Sequence, residues 1–154
     1  MSINVEIPGR HTLTLDHLLL DQNGTLSLRG DLIPGVSERI AALRQQLNIH
    51  IITGDTFNTL DQVAAELSVD AHRVKSGVEK RAFVDQLGGN RCVAIGNGYN
   101  DVEMFRGCNL AIAIIGGEGA SMDALSAAHM VCTSILDALD LLLDTRLLAA
   151  TLRR

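Results

Sequence analysis

The sequence is poor in aromatic residues, which make up 3% of the chain and include no tryptophan. Proteins that bind single-stranded nucleic acids stack the bases on aromatic rings, and this chain has few rings to offer. Its net charge of -5 at pH 7 also disfavours binding to nucleic acid or to an anionic membrane surface, because these partners are negative too. We therefore expect no nucleic-acid partner, no membrane partner and a core of aliphatic side chains.

The chain also lacks the residue patterns of disulfide frameworks, metal centres and exported proteins. Its three cysteines have no CxxC spacing and its five histidines have no HxxxH spacing, which disfavours structural zinc. No basic segment followed by an apolar one stands at the start, so no signal peptide is predicted. The longest apolar run, Leu110 to Ile115, is too short to span a bilayer. These absences predict a soluble protein of the reducing cytoplasm.

Short apolar runs alternate with amphipathic segments along the 154 residues, a length typical of one domain. Strands that are apolar on both faces and separated by helices indicate a parallel sheet covered on both sides. The pattern predicts one α/β domain over residues 1–154, a three-layer, doubly wound parallel sheet. The alternating segment from Asn4 to Leu15 predicts an antiparallel edge hairpin beside the first core strand. The predicted core strands cover 17–21, 49–53, 91–96 and 110–115, with shorter ones at 73–75 and 130–133, and the predicted helices cover 36–47, 56–67, 79–87, 100–106, 120–128 and 134–151.

Polar side chains follow several of the predicted strands. Asp21 comes directly after the first core strand, Thr53 ends the second, and a glycine-rich turn from Gly96 to Asp101 follows a later one. Lys80 lies near the start of the helix that precedes that turn. In open parallel sheets, ligands bind outside the carboxyl ends of the strands. Carboxylates, a hydroxyl and a cation at such an edge suit phosphoryl transfer with Mg²⁺.

These segments resemble the motifs of the haloacid dehalogenase-like hydrolase superfamily. LLLDQNGTL is similar to its DxDGT motif, IIT at Thr53 to its second motif, EKRAFVDQL with Lys80 to its third, and GNGYND to its fourth, GDxxxD. The resemblance extends over roughly residues 17–135 and is closest to the phosphorylation domain of P-type ATPases, whose DKTGT, TGD and GDGxND motifs align with DQNGT, TGD and GNGYND. The chain therefore resembles small soluble P-type ATPase-like proteins.

The resemblance implies a role for each motif residue. Asp21 would be the nucleophile that forms an aspartyl-phosphate, and Thr53 and Lys80 would hold the phosphoryl oxygens, with Lys75 as the rival lysine. The phosphate would also contact Gln22 and Gly54. Mg²⁺ would be held by the side chains of Asp21, Asn97 and Asp101 and by the carbonyl of Asn23.

Two asparagines depart from the family pattern. Asn23 stands where phosphatases of the family carry the acid–base Asp, and an amide cannot shuttle a proton, which predicts turnover slower by about 10²–10⁴-fold. Asn97 replaces the first Asp of GDxxxD, which predicts weaker affinity for the cation. The sequence thus predicts a slow Mg²⁺-dependent phosphohydrolase or phosphotransferase; the alternative is a catalytically weak phosphate- or metal-binding regulatory module.

The segments between the motifs are short. Residues 26–33 allow a small flap hairpin but no cap domain, so we expect an open site for a small phosphorylated substrate. The leucine-rich C-terminal stretch has more leucines than one helix face needs, which favours a homo-oligomer, a dimer or tetramer, whose partner would cover the site.

Overall fold

The computed structural model describes all residues from Met1 to Arg154. Its strands are β1 (Ile3–Val5), β2 (Leu13–Leu15), β3 (His17–Leu20), β4 (Ser27–Leu28), β5 (Asp31–Leu32), β6 (Asn48–Thr53), β7 (Asp70–Arg73), β8 (Cys92–Gly96), β9 (Leu110–Ile114) and β10 (Met130–Cys132). Its α-helices are α1 (Val36–Leu43), α2 (Leu60–Leu67), α3 (Gly77–Leu87), α4 (Val102–Gly107), α5 (Met122–Ala127), α6 (Ile135–Leu143) and α7 (Thr145–Leu152). Two short 3₁₀ helices cover Gly89–Arg91 and Tyr99–Asp101.

A six-stranded sheet in the order β10-β9-β8-β3-β6-β7 forms the centre of the fold, and all its strands are parallel. This confirms the predicted doubly wound α/β class. From β3 the chain builds the sheet first toward β6 and β7, and then from β8 toward β10 on the other side. The strand order therefore reverses beside β3, and ligands bind such sheets at this reversal, outside the carboxyl ends of the strands.

Apolar residues of the strands alternate between two layers of helices. Leu18 and Leu20 of β3 belong to the larger buried cluster, which also contains core residues of α1, α2, α6 and α7. Leu19 points to the opposite face and belongs to a smaller cluster under α3, α4 and α5. Both faces of the sheet are thus covered, which explains why its strands are apolar throughout.

The N-terminal hairpin forms as predicted, with Ile3 paired to Leu15 in an antiparallel register, but it lies outside the central sheet. Both edges of β3 are already occupied, by β6 on one side and β8 on the other. The hairpin instead buries its apolar side chains, such as Val5 and Leu13, in the larger cluster.

The C-terminal stretch differs from the single predicted helix because it breaks at Asp144. This residue has φ -131° and ψ 97°, outside the helical region, and its carboxylate accepts a hydrogen bond from the Arg146 backbone N–H at the start of α7. Most leucines of the stretch pack inward, and Leu147 is the one left largely exposed.

A short flap of β4 and β5 is the only sheet structure between β3 and β6. No cap domain is inserted there, as predicted. None of the helices has the length and apolar character that crossing a membrane requires.

Candidate phosphoryl-transfer site

Asp21 lies at the carboxyl end of β3, at the point where the strand order reverses. Its backbone N–H donates to the Ile95 carbonyl on β8 (3.0 Å), which holds the residue in line with the sheet. Its carboxylate is 92% buried, and Oδ1 accepts a hydrogen bond from Lys80. Oδ2 accepts none from the protein. One oxygen of the predicted nucleophile is therefore oriented and the other is free.

Lys80 is fully buried between two carboxylates. Its Nζ lies 3.0 Å from Asp21 Oδ1 and 2.7 Å from Asp101 Oδ1. Helix α3 can bring it there because Gly77 lies against the Asn100 carbonyl, where an added Cβ would come within 2.8 Å. The rival Lys75 is exposed. The structure thus places Lys80, and not Lys75, against the predicted nucleophile.

Asp101 uses both of its oxygens within the protein. Oδ1 accepts from Lys80, and Oδ2 accepts from the backbone N–H groups of Asn97 and Gly98, each at 3.0 Å. The turn closes this tightly because residue 96 is glycine: a Cβ there would lie 2.4 Å from Asp101 Oδ2. The geometry gives Asp101 the role of positioning Lys80, and its predicted role as a metal ligand stays a prediction.

Burial and the neighbouring charges shift the pKa values of Asp21 and Lys80. Burial, together with the nearby Asp101 carboxylate, raises the pKa of Asp21 to about 7, against the opposing effect of Lys80. Burial also disfavours the charged form of Lys80, but the two carboxylates outweigh this effect and the pKa of Lys80 is raised. With both carboxylates ionised, the trio carries one uncompensated negative charge. A buried negative charge is costly, so the site favours a proton or a cation at Asp21.

Thr53 lies at the end of β6 and is 1% exposed. Its Oγ1 accepts the backbone N–H of Asp55 at 3.0 Å, which leaves the hydroxyl proton free to donate. Gly54 follows it and is exposed. The Asp55 carboxylate is engaged elsewhere: Oδ1 accepts the backbone N–H groups of Thr59 and Leu60 at the start of α2.

Gln22 differs from its predicted role as a phosphate contact. It is fully buried, and its Nε2 donates to Thr59 Oγ1 at 2.8 Å. The side chain therefore ties the nucleophile loop to the start of α2 rather than facing a ligand with its amide N–H. The pairing with Thr59 could not be predicted from the sequence, because nothing around Thr59 marks it as a partner of a residue 37 positions away.

The two asparagines that depart from the family pattern have different surroundings. Asn23 Oδ1 is buried and has no hydrogen-bond partner. Asn97, in contrast, bridges two segments: its Oδ1 accepts from Thr25 Oγ1 at 3.4 Å and its Nδ2 donates to the Gly119 carbonyl at 3.1 Å. Gly24 packs directly on it, with a φ of +77°, and a Cβ there would lie 2.3 Å from Asn97 Nδ2.

These contacts decide which atoms could hold Mg²⁺. No group of three or more histidine, cysteine, aspartate or glutamate side chains is arranged around one point. In the nucleophile loop, the side-chain oxygens that accept no hydrogen bond from the protein are Asp21 Oδ2, Gln22 Oε1 and Asn23 Oδ1. Mg²⁺ takes oxygen ligands, is commonly held by one or two carboxylates and retains several waters. The donor set therefore fits a weakly held Mg²⁺.

Comparisons with known proteins identify the family and agree with the fold. The family model of the haloacid dehalogenase-like hydrolases matches residues 5–109. A chloroplastic copper-transporting ATPase of Arabidopsis thaliana is 30% identical over 105 residues, which are 64% of this chain and 11% of the ATPase, so the chain spans about a tenth of that relative. An uncharacterized protein of Methanocaldococcus jannaschii is 43% identical over 63 residues, which are 41% of this chain and 68% of that protein.

Two solved structures show the same fold at low sequence identity. The cobalt-bound deoxy-D-mannose-octulosonate 8-phosphate phosphatase of Haemophilus influenzae superposes with a TM-score of 0.72 and 16% identity, covering 89% of this chain and 92% of that one. A phosphoserine phosphatase in its apo form superposes with a TM-score of 0.68 and 14% identity, covering 82% and 98%.

Proposed function

The chain belongs to the haloacid dehalogenase-like hydrolases, and from this premise we propose that it is a Mg²⁺-dependent phosphohydrolase that forms an aspartyl-phosphate on Asp21. The observation that carries the proposal is the buried contact between Asp21 and Lys80 at the carboxyl edge of the sheet. A lysine held there beside a carboxylate with one free oxygen suits the transfer of a negatively charged group. The phosphatase names of the two solved relatives agree with this chemistry.

In the first step, the free Oδ2 of Asp21 attacks the phosphorus of a phosphomonoester. The bond from phosphorus to the ester oxygen breaks, and the leaving oxygen keeps the electron pair and takes a proton from solvent water. Lys80 Nζ and the Thr53 hydroxyl donate to the phosphoryl oxygens, where negative charge concentrates. In the second step, a water molecule attacks the phosphorus, the bond to Asp21 Oδ2 breaks, and inorganic phosphate is released. Asp21 and Asn23 would hold Mg²⁺, which would supply positive charge to stabilise the phosphoryl group.

In this proposal, the lack of a proton-transferring group at Asn23 limits the rate of hydrolysis. The departing alcohol needs a proton and the attacking water must lose one, and the Asn23 amide can do neither. General acid–base catalysis is worth about 10²–10⁴-fold, so we expect slow hydrolysis of alkyl phosphates. Substrates whose leaving group is stable without a proton, such as aryl phosphates, should react faster.

The second candidate is a catalytically weak module that binds phosphate or metal and regulates a partner. Two observations favour it. Asn23 replaces the acid–base residue, and both polar atoms of the Asn97 side chain are already hydrogen-bonded, to Thr25 and to the Gly119 carbonyl. Binding of phosphate with no Mg²⁺-dependent hydrolysis of any phosphomonoester would favour this candidate, and isothermal titration calorimetry would measure it.

The test of the enzyme is turnover of an aryl phosphate with Mg²⁺ and with a chelator. We expect Mg²⁺-dependent release of phosphate by the natural protein and none above background by Asp21→Asn. The matched control is Asp61→Asn, which makes the same change at an exposed carboxylate on α2. Equal rates for the natural protein and Asp21→Asn would exclude Asp21 as the nucleophile.

We also propose that the protein forms a homo-oligomer that shields the open site. Apolar side chains at the surface support this, since Tyr99 beside the site is 71% exposed and Leu147 on α7 is 66% exposed. Sedimentation of the natural protein and of Leu147→Glu would test it, and a monomer at all concentrations would contradict it.

A further inference from the structure

A single hydrogen bond joins the nucleophile loop (residues 21–27) to the segment that ends β6 and leads into α2 (residues 53–59, the phosphate loop). The paired register between β3 and β6 ends one residue before Asp21. Beyond it, the one hydrogen bond between the two loops runs from Gln22 Nε2 to Thr59 Oγ1, at 2.8 Å. The spacing of the two loops, which carry the nucleophile and the hydroxyl that faces the phosphate, therefore depends on this side-chain contact as well as on the sheet.

Thr59 does not use its hydroxyl for its own helix. It directly precedes the first residue of α2, a position where a threonine normally accepts a backbone N–H of the first turn. No such bond forms here, and Thr59 Oγ1 accepts the Gln22 amide instead. The hydroxyl is therefore directed at the nucleophile loop.

Asp55 caps α2 in place of Thr59. Its Oδ1 accepts the backbone N–H groups of Thr59 and Leu60, at 2.8 and 2.9 Å. Its own backbone N–H donates to Thr53 Oγ1 at 3.0 Å. A chain of contacts thus runs from the hydroxyl that ends β6 through Asp55 and Thr59 to Gln22, the neighbour of the nucleophile.

Two residues of the phosphate loop have left-handed backbone conformations, which are uncommon outside glycine. Asp55 has φ +55° and Asn58 has φ +54°. Such conformations cost free energy and persist where the surrounding contacts hold them. Here those contacts include the hydrogen bonds of the Asp55 carboxylate, which bring Thr59 back toward the nucleophile loop.

The geometry points to Thr59 as a positioning residue that sets the distance between the nucleophile and the phosphoryl group. This inference rests on the proposed function, because it requires the phosphoryl group to bind between Asp21 and Thr53. Attack on phosphorus needs the reacting atoms close and aligned, and a displacement of about 1 Å can slow such a step by about 10²-fold. Gln22 is fully buried, so its amide has no water to bind when the Thr59 hydroxyl is removed.

The experiment removes the hydroxyl and keeps the shape of the side chain. With saturating aryl phosphate and Mg²⁺, we expect Thr59→Val to slow the release of aryl alcohol in a single turnover by about ten- to a hundredfold. The dissociation constant of inorganic phosphate should stay the same, because Thr53 and Lys80 are unchanged. Thr59→Ser keeps the hydroxyl and should retain most of the natural rate. The matched control is Thr56→Val, the same change at an exposed position of the same loop, which should leave the rate as it is.

A double variant shows whether Thr59 acts through Gln22. Gln22→Met removes the other partner of the hydrogen bond at nearly the same volume, and it should slow the same step. If the two residues act as one unit, the protein with both changes should be no slower than the slower single variant. Losses that multiply would show that the residues act separately, and would overturn the inference.

A purely structural role of Thr59 gives a different pattern. Urea denaturation would then show lower stability of Thr59→Val, while the folded variant would release aryl alcohol at the natural rate. That result overturns the inference and leaves the proposed phosphohydrolase in place. If the natural protein releases no more aryl alcohol than Asp21→Asn, the proposed function fails and the positioning role fails with it.

Discussion

Lys80 Nζ lies 2.7 Å from Asp101 Oδ1, and neither side chain is exposed to solvent. A buried ion pair adds little stability compared with apolar residues of the same size, but the loss of one partner leaves an unpaired buried charge. Since Asp101 also accepts two backbone N–H groups of the Gly96–Asp101 turn, it holds the lysine and the turn together. The pair therefore links the stability of this edge of the sheet to the position of the lysine at Asp21.

Replacement of Asp101 by asparagine tests this link. The amide N–H₂ would face either Lys80 or the backbone N–H groups of the turn, and each is a donor. We expect Asp101→Asn to lower the free energy of unfolding by about 3 kcal/mol and to abolish aryl phosphate turnover. Urea denaturation measures the first effect.

The matched control for this change is Asp85→Asn in the Arg81–Asp85 pair, where the distance is 3.0 Å but the side chains are 39% and 60% exposed. Exposed pairs contribute about 0.2–1 kcal/mol, so we expect a small effect there. Equal losses of stability in the two variants would mean that burial of the Lys80–Asp101 pair is unimportant.

Asn23→Asp should restore the missing acid–base group. Its Oδ1 is buried without a partner two residues after the nucleophile, so the new carboxyl displaces no hydrogen bond of that oxygen. We expect turnover of alkyl phosphates to rise by about 10²-fold, with a smaller gain for aryl phosphates, whose leaving group needs no proton. Asn58→Asp, an exposed site in the loop before α2, adds the same charge and serves as control. A folded Asn23→Asp protein that is no faster on alkyl phosphates would show that the amide is not what limits the rate.

Asn97→Asp should have two opposite effects. It adds a carboxylate near Asp21, so the Mg²⁺ concentration for half-maximal activity should fall. It also replaces the Nδ2–H group that donates to the Gly119 carbonyl at 3.1 Å with an oxygen that repels it. Without metal, we expect the protein to lose about 1–3 kcal/mol of stability.

Denaturation with and without Mg²⁺, together with a Mg²⁺ titration of activity, separates these two effects. Asn109→Asp is the control, because Asn109 Nδ2 also donates to a carbonyl, that of Asn90 at 2.9 Å, but at the protein surface. Higher stability of Asn97→Asp without metal would contradict the bridging role.

The sheet and the motif positions could be predicted because they depend on local patterns. The apolar run before Asp21 is typical of a buried strand, and the glycine turn before Asp101 follows another such run. The contacts that decide each role could not be predicted, because they join distant segments. Asn97 meets the Gly119 carbonyl 22 residues away, and Lys80 becomes buried only because Gly77 lets its helix approach Asn100. The break of the C-terminal helix at Asp144 could not be predicted for a related reason. The leucine periodicity continues through this residue, although its backbone is not helical.

A cluster of histidines on the face of the sheet under α3 predicts the behaviour of the protein in acid. His50 Nε2 lies 3.3 Å from His17 Nδ1, and its ring is packed against His72 and Phe83. Burial, together with the neighbouring His17 and His72, lowers the pKa of His50 from 6.5 to about 4, against the opposing effect of Asp70, 3.8 Å away. His50 therefore binds a proton less readily in the folded protein than in the unfolded chain.

The sign of the pH effect follows from this difference. Between pH 6.5 and about 4 the unfolded state binds more protons at His50 than the folded state does, so stability falls as the pH is lowered through this range. The loss amounts to about 3 kcal/mol at most. His50→Gln retains a hydrogen-bonding group facing His17 but cannot titrate, and we expect a flatter fall in unfolding free energy between pH 6.5 and 4. His11→Gln, at an exposed position, should keep the slope of the natural protein. Urea denaturation at several pH values measures the slopes, and the same slope in His50→Gln and the natural protein would assign the acid sensitivity to other groups.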